Sequence, residues 1–213
     1  GAPAAGSNLA TLIEKYREDF EAVLPTHLNI DRLLRIATVT LRQTPDLALS
    51  TPISFLGALM TCTQLGLEPG PLGEAYLLPF KDKNLRPDQR VCTFVIGNQG
   101  LVKLAYQSGQ VASIAAENVH AGDHFEVHYG SDRRIVHRRP PLGTDRGPVM
   151  GWYALAKFTT GADPAFIVMD RPEVEKIRAR SRAANNGPWI TDYDAMAKKT
   201  CVRQLAKWLP KST

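Results

Sequence analysis

The sequence predicts an α+β fold: a largely antiparallel sheet with a β-hairpin, flanked by N-terminal and C-terminal helices, in a single domain. Three observations point there. Helical apolar spacing is confined to the first 65 or so residues, to one short piece after residue 100, and to the stretch beyond residue 170. The residues between read as short strands punctuated by glycine, proline or aspartate. The chain of 213 residues, 44% hydrophobic and 22% charged, has the composition of an ordinary globular protein and the length for one good core.

Taken in order, Leu9 to Val23 carries apolar residues at helical spacing and Pro25 closes the run. Asn29 or Asp31 can cap a second helix that reaches about Gln43, with Leu33, Leu34, Ala37 and Leu41 on one side. Thr51 followed by Pro52 is a cap with proline in the first turn, and Gly66 ends that third helix after Leu65. "AYLLPF" and "VCTFVI" flank a polar loop from Lys81 to Arg90, which reads as a long-looped hairpin. A short helix from Leu101 to Gln107 stops at Gly109. The strands "VASIAAENVH", "HFEVHYG", "RRIVHRR", "MGWYALAKFTT" and "AFIVMD" follow. Asp170, Pro172 and Glu173 then open a helix with a capping box, "RAANNGPW" is a loop, and a last helix runs through "DAMAKKTCVRQLAKWLP". Clustered strands between helices give a segregated α+β arrangement.

Charge is distributed unevenly. Residues 171–213 hold ten lysines and arginines against four acids, a local +6, whereas the whole chain is +5. Such asymmetry concentrates anionic partners at one end, although a solvated basic face has the same composition. The longest apolar runs span only a few residues, so no membrane segment is expected. Residues 1–8 are small and lack a basic end and an apolar centre; a leftover linker or flexible terminus fits them better than a leader. Cys62, Cys92 and Cys201 are odd in number and far apart, which argues for a reducing cytoplasm and against a disulfide framework.

The last helix combines two tasks. At 100° per residue Ala195, Val202, Leu205, Ala206 and Leu209 form an apolar stripe, and Lys199, Arg203 and Lys207 line one flank at four-residue steps. Lys198 falls inside the apolar arc, where an ammonium must snorkel, find a carboxylate or face an anion. Such a helix can be half core and half cradle for successive phosphates.

The block "MAKKTCVRQLAKWLP" resembles the C-terminal signature of the RecT family of phage and prophage single-strand annealing proteins, within the wider Redβ–RecT superfamily. "ALMTCTQLGLEPG" with "EAYLLPF", "FVIGNQGLVKLAYQSGQV", "ENVHAGDHFEVHYG", and "FIVMDRPEVEKIRARS" followed by "GPW" fall in that family's order, from about Asp31 to Pro210. The resemblance implies an annealing core over residues 9–210, with antiparallel strands backed by a helix. It implies a basic groove that holds single-stranded DNA and an annealed duplex intermediate, and assembly into rings or helical filaments. It further implies a cytoplasmic place in a bacterial or phage-infected cell, and no hydrolysis of a nucleotide. The sequence has no GxxxxGK[ST] phosphate loop, and no cofactor is expected. Family members continue past "LP" into a tail that contacts the host single-strand binding protein. Here only residues 211–213 follow, so that contact is expected to be lost.

The residues expected to meet DNA are Lys198, Lys199, Arg203 and Lys207, with Lys176, Arg178 and Arg180 from the preceding helix and Lys157 from a strand. Trp189 in "GPW" either stacks on a base or packs in the core. Where the family often has a tyrosine–lysine pair this chain has Asn98-Gln99, and it lacks the family's arginine near Tyr106 and Gln107. Gln99 can still hydrogen-bond a phosphate or base, with Lys103 as a substitute cation. Lys81, Lys83, Arg86 and Arg90 at the hairpin tip clamp DNA or a neighbouring subunit, or are solvated loop charge.

Two rival readings stand beside this one. His120, His124 and His128 with Asp123 and Glu126 have the spacing of a metal-dependent enzyme on nucleic acid if that stretch is helical. It alternates like a strand, however, which puts only His124, Glu126 and His128 on one face. Asp163, Asp170 and Glu173 lack the spacing of a nuclease centre. The other rival is a basic structural scaffold for nucleic acid.

Overall fold

The computed structural model describes residues 5–211 and has the expected α+β composition, with every strand pairing antiparallel. The body expected over residues 9–210 holds two compact units, 5–104 and 105–211, each around its own apolar core. Of the expected flexible stretch 1–8, residues 1–4 lie outside the described residues and the rest opens the first helix; of the tail remnant, residues 212–213 lie outside them.

In the first unit the leading helix divides into α1 (Ala5–Lys15) and α2 (Arg17–Val23). The break is one residue wide: Tyr16 leaves helical geometry, while its N–H still reaches Leu12 and its carbonyl still accepts from Phe20. In α3 (Ile30–Gln43), Asn29 is the cap, its side chain accepting from the Arg32 N–H at 3.1 Å, and Leu33, Leu34, Ala37 and Leu41 are buried as their spacing requires. A short 3-10 turn, Pro45–Leu49, leads into α4 (Pro52–Leu65), which Gly66 ends at φ +67°. The hairpin pairs β1 (Ala75–Phe80) with β2 (Val91–Ile96), Ala75 opposite Ile96 and Phe80 opposite Val91.

The next helix, α5 (Asn98–Gln107), begins three residues before the expected start. Its first turn lies against the chain before β1, and two glycines permit that approach. A Cβ on Gly97 would stand 2.0 Å from the Gly73 carbonyl oxygen, and one on Gly100 2.1 Å from that of Glu74.

The second unit is built on a three-stranded sheet in the order β3 (Val111–His120), β6 (Val149–Phe158), β7 (Ala165–Asp170). Side chains alternate across it. Trp152, Ala154 and Ala156 of β6 join Ile114, Ala116, Ile167 and Met169 in the core beneath α8 (Tyr193–Ala206). The opposite face carries Tyr153, Leu155, Phe166 and Val168 and meets a second hairpin, β4 (His124–His128) with β5 (Arg134–Arg138). Phe125 stacks on Tyr153 with centroids 5.7 Å apart, His137 meets the same ring edge-on, and Arg133 lies over Phe166. Two further helices, α6 (Arg171–Arg178) and α7 (Pro188–Thr191), complete the unit; Asp170 and Glu173 form the expected capping box at the start of α6.

Candidate nucleic-acid interface

α8 is fixed to the sheet before any of its charges are considered. Trp152 is fully buried, and its indole N–H donates to Asp194 at 3.0 Å, so the first turn of α8 is pinned by both packing and a hydrogen bond. Ala197, Thr200, Cys201, Leu205 and Ala206 are the helix's buried residues, and Leu209 follows beyond its end.

The stripe therefore differs from the expected one: Ala195 is exposed, Val202 only half-buried, and Thr200 and Cys201 take the centre. Thr200 can be buried because its hydroxyl donates to the Met196 carbonyl one turn back, at 2.8 Å, and leaves no polar group unmatched. The cationic flank is unaffected by the shift. Lys199, Arg203 and Lys207 are all exposed, on the side of α8 away from the sheet. Lys198 is half-buried at the border of the apolar arc and, among the described residues, makes no ion pair. Lys207 donates to Gln204 at 3.1 Å.

Helix α6 packs against α8 through a mixed aromatic and ionic contact. The Tyr193 hydroxyl donates to Glu175 at 2.7 Å, and the Arg171 guanidinium lies 4.5 Å from the centre of the Tyr193 ring. Burial, then the Glu175 carboxylate, pushes the Tyr193 phenol up to about 12; in return the Tyr193 hydroxyl, and after it Arg178, holds the Glu175 carboxyl below its ordinary range. Arg178 is committed inward: its Nε donates to the Ala184 carbonyl at 2.7 Å and its Nη1 to Glu175 at 3.3 Å. Lys176 is exposed on α6, and Arg180 is exposed just after its end, outside the helix expected to contain it.

Within the second unit, Trp189 and Lys157 stand apart from this flank. Trp189 is 5% exposed, a core residue set edge-on to Tyr193 at 5.7 Å, and offers no free face to a base. Lys157 is exposed but alternates with Ala156, which places it on the sheet face opposite α8. Gln99 and Lys103 belong to the first unit. Gln99 is exposed on α5, whereas the Lys103 ammonium holds the Glu74 carboxylate at 3.1 Å and the Gly66 carbonyl at 3.1 Å. On the first hairpin Arg90 turns inward to the Pro87 and Gln89 carbonyls, while Lys81, Lys83 and Arg86 stay exposed.

The histidines do not converge. His120 bonds the Gly147 carbonyl at 2.8 Å, while His124 and His128 flank Glu126 on β4 at 2.9 and 3.2 Å. Among the described residues no group of three or more His, Cys, Asp or Glu side chains could hold a metal ion. His120 ends β3, and His124 and His128 lie on β4 after a turn, so the helical spacing is absent.

The sequence profile of the RecT family matches residues 31–213. The chain belongs to the RecT family. That family is one of recombination-related single-stranded DNA annealing proteins. The chain is 42% identical over 216 residues to "Protein RecT" of Escherichia coli (strain K12), an alignment covering 99% of this chain and 79% of the relative. It is 25% identical over 166 residues to "Uncharacterized protein YqaK" of Bacillus subtilis (strain 168), covering 74% of this chain and 51% of that protein.

Two features of this RecT-family chain escaped the sequence reading. Trp208, beside Lys207, is 80% exposed, and composition gave no hint that it differs from the buried Trp152 and Trp189. The second is a buried polar cluster under the β4–β5 hairpin. The Asp123 carboxylate, 0% exposed, accepts from Arg146 at 2.6 and 2.8 Å, from His137 Nε2 at 2.8 Å and from the His120 N–H at 3.0 Å. Arg146 first, and then the His120 N–H and His137, hold Asp123 far below the usual carboxylate range against its burial. His137 Nδ1 meets the Tyr153 hydroxyl at 2.8 Å, so the cluster ties the hairpin to the sheet. "HAGDH" offered the residues, but only the fold supplies Arg146 and Tyr153 as their partners.

Proposed function

We propose that this chain is an ATP-independent annealing protein of homologous recombination, a phage or prophage recombinase that grips single-stranded DNA by its phosphates along α8. The observation that carries the reading is the exposed row Lys199, Arg203 and Lys207 on a helix whose other side is buried in the sheet. A rise of 1.5 Å per residue sets successive cations about 6 Å apart along the axis, so neighbouring phosphates of an extended strand can be met in turn. Lys198, Lys176 and Arg180 widen the positive field.

The chemistry is physical. Two strands repel through their phosphates, and cations that neutralise them release condensed counterions and make close approach tolerable. Backbone contacts hold a strand without selecting its sequence, leaving base edges to test pairing with a second strand. No bond is made or broken, so positioning and charge are the whole contribution. Gln99, Lys103, Lys157, Arg178 and Trp189, expected from sequence to touch DNA, act in this reading through the fold or as peripheral contacts. Lining up many nucleotides calls for repeated units in a head-to-tail ring or filament of this chain in the cytoplasm. A segment beyond Pro210 would supply the host single-strand binding protein contact.

The test is fluorescence anisotropy of a labelled oligonucleotide across a salt series, beside annealing of complementary strands with chelator present and no nucleotide. Binding should weaken steeply with salt, vary little with sequence, and leave annealing intact without metal. A flat salt response would sink the phosphate cradle; annealing lost to chelator and restored by a transition metal would favour the histidines instead.

A further inference from the structure

We infer that Trp208 is a base-stacking platform at the end of the phosphate row, so that the interface reads bases as flat rings as well as phosphates as charges. This rests on the proposed DNA-binding reading. Of the three tryptophans, Trp152 and Trp189 are 0% and 5% exposed, and Trp208 is 80% exposed. Its N–H closes the last turn onto the Leu205 carbonyl at 3.0 Å, and Leu209 beside it is 4% exposed, so the backbone carrying the ring is anchored. Among the described residues the ring stacks on no other aromatic and lies under no cation.

The surroundings select the occupant. Along the chain Trp208 has Lys207 beside it and Lys211 three residues on, both exposed, and Lys207 donates to Gln204. A protein partner covering a tryptophan of this size would be expected to meet apolar neighbours. Here its apolar neighbours in sequence, Leu205, Ala206 and Leu209, are all buried, and the exposed residues nearest it along the chain are Lys207 and Lys211. A flat aromatic ligand bearing negative charge matches that combination, and a nucleotide in a single strand is one: its base stacks and its phosphate meets Lys207. Stacking of this kind is indifferent to sequence, because every base presents a π-face.

The closing experiment compares the wild-type chain, Trp208→Leu and Trp208→Phe, with circular dichroism confirming folding of an exposed-site variant. Two labelled probes are used: oligo(dT), and a phosphodiester strand of the same length with abasic sites throughout. Wild type should prefer oligo(dT), and Trp208→Leu should lose about 5- to 150-fold affinity for it, the span of 1–3 kcal/mol per stacked base. Its affinity for the abasic strand and its salt slope should not change, and Trp208→Phe should keep most of the preference. Intrinsic fluorescence should be quenched by oligo(dT) in wild type and not in Trp208→Leu, since the two remaining indoles are buried. Equal binding of both probes by wild type, or wild-type behaviour of Trp208→Leu, would overturn the stacking role while salt-dependent binding left the phosphate reading standing. Failure of wild type to bind either probe would overturn both. Loss of self-association in Trp208→Leu at unchanged affinity would assign the ring to a contact between copies.

Discussion

Replacing Lys199 and Arg203 together by alanine removes two cations one helical turn apart on the exposed flank of α8. For single strands each neutralised phosphate contributes about 0.7 to the slope of log affinity against log salt, so the double variant should have a slope shallower by about 1.4. Extrapolated from equal binding at 1 M salt, that difference amounts to roughly 15-fold weaker binding at 0.15 M, or about 1.6 kcal/mol. Both side chains are exposed, so stability should move by no more than about 0.5 kcal/mol, a thermal shift of only about 2 °C. Anisotropy at five or six salt concentrations, paired with thermal unfolding of the same preparations, reads both quantities. An unchanged slope with affinity within twofold of wild type would mean that the row does not lie on phosphates. A collapse of the thermal midpoint would mean that these residues hold the fold.

Four further outcomes follow from the geometry. Trp189→Ala should cost about 3–5 kcal/mol of stability by emptying a core site, and calorimetry showing no loss of stability with weakened DNA binding would return the ring to the interface. Gly97→Ala should cost more than about 3 kcal/mol, because its Cβ would stand 2.0 Å from backbone oxygen, whereas exposed Gly57 in α4 has nothing within 4 Å and Gly57→Ala should stabilise by about 0.5–1 kcal/mol; denaturant midpoints compare the two. Asp123→Asn should lower the thermal midpoint at pH 7 by roughly 10 °C, since it leaves Arg146 without its buried counter-charge. Asp123 is depressed below its ordinary 3.8, so its contribution is present above that pH and lost as pH falls below it; the variant should lack this part of the wild-type acid transition. Tyr193, raised from 10.0 to about 12, favours the folded state through its neutral form, so stability should decline as pH rises from about 10 to 12, and Tyr193→Phe should flatten that decline in a high-pH melting series.

Legibility in the sequence followed the range of the forces involved. Local signals placed nearly every element: the Asp170–Glu173 capping box, Gly66 at left-handed φ, and the alternation of "MGWYALAKF" all act within one turn or one strand. The exposed row on α8 was legible for the same reason, since four-residue spacing is fixed by the helix itself. What was not legible depended on partners distant in sequence. Lys103 reads as a free cation until Glu74 is seen beside it, and Trp189 reads as either a platform or a core residue until Tyr193 and the core close around it. Lys157 lies on the sheet face opposite α8, a placement decided by the helix that covers Ala154 and Ala156. The stripe on α8 was misplaced by treating Thr200 as polar, although its hydroxyl is satisfied within the helix. The division into two units left no mark in composition, because α5 runs across it without a glycine- or proline-rich linker.

Cys62, Cys92 and Cys201 are all buried as free thiols, and burial pushes each up to about 12. At neutral pH these sulfurs are almost wholly protonated and shielded, a poor target for maleimides or alkylating agents. The native chain is therefore chemically silent toward such reagents while folded. A single cysteine introduced at an exposed turn, such as Thr160 between β6 and β7, would take a fluorophore or spin label alone, with no need to strip the native sulfurs from either core.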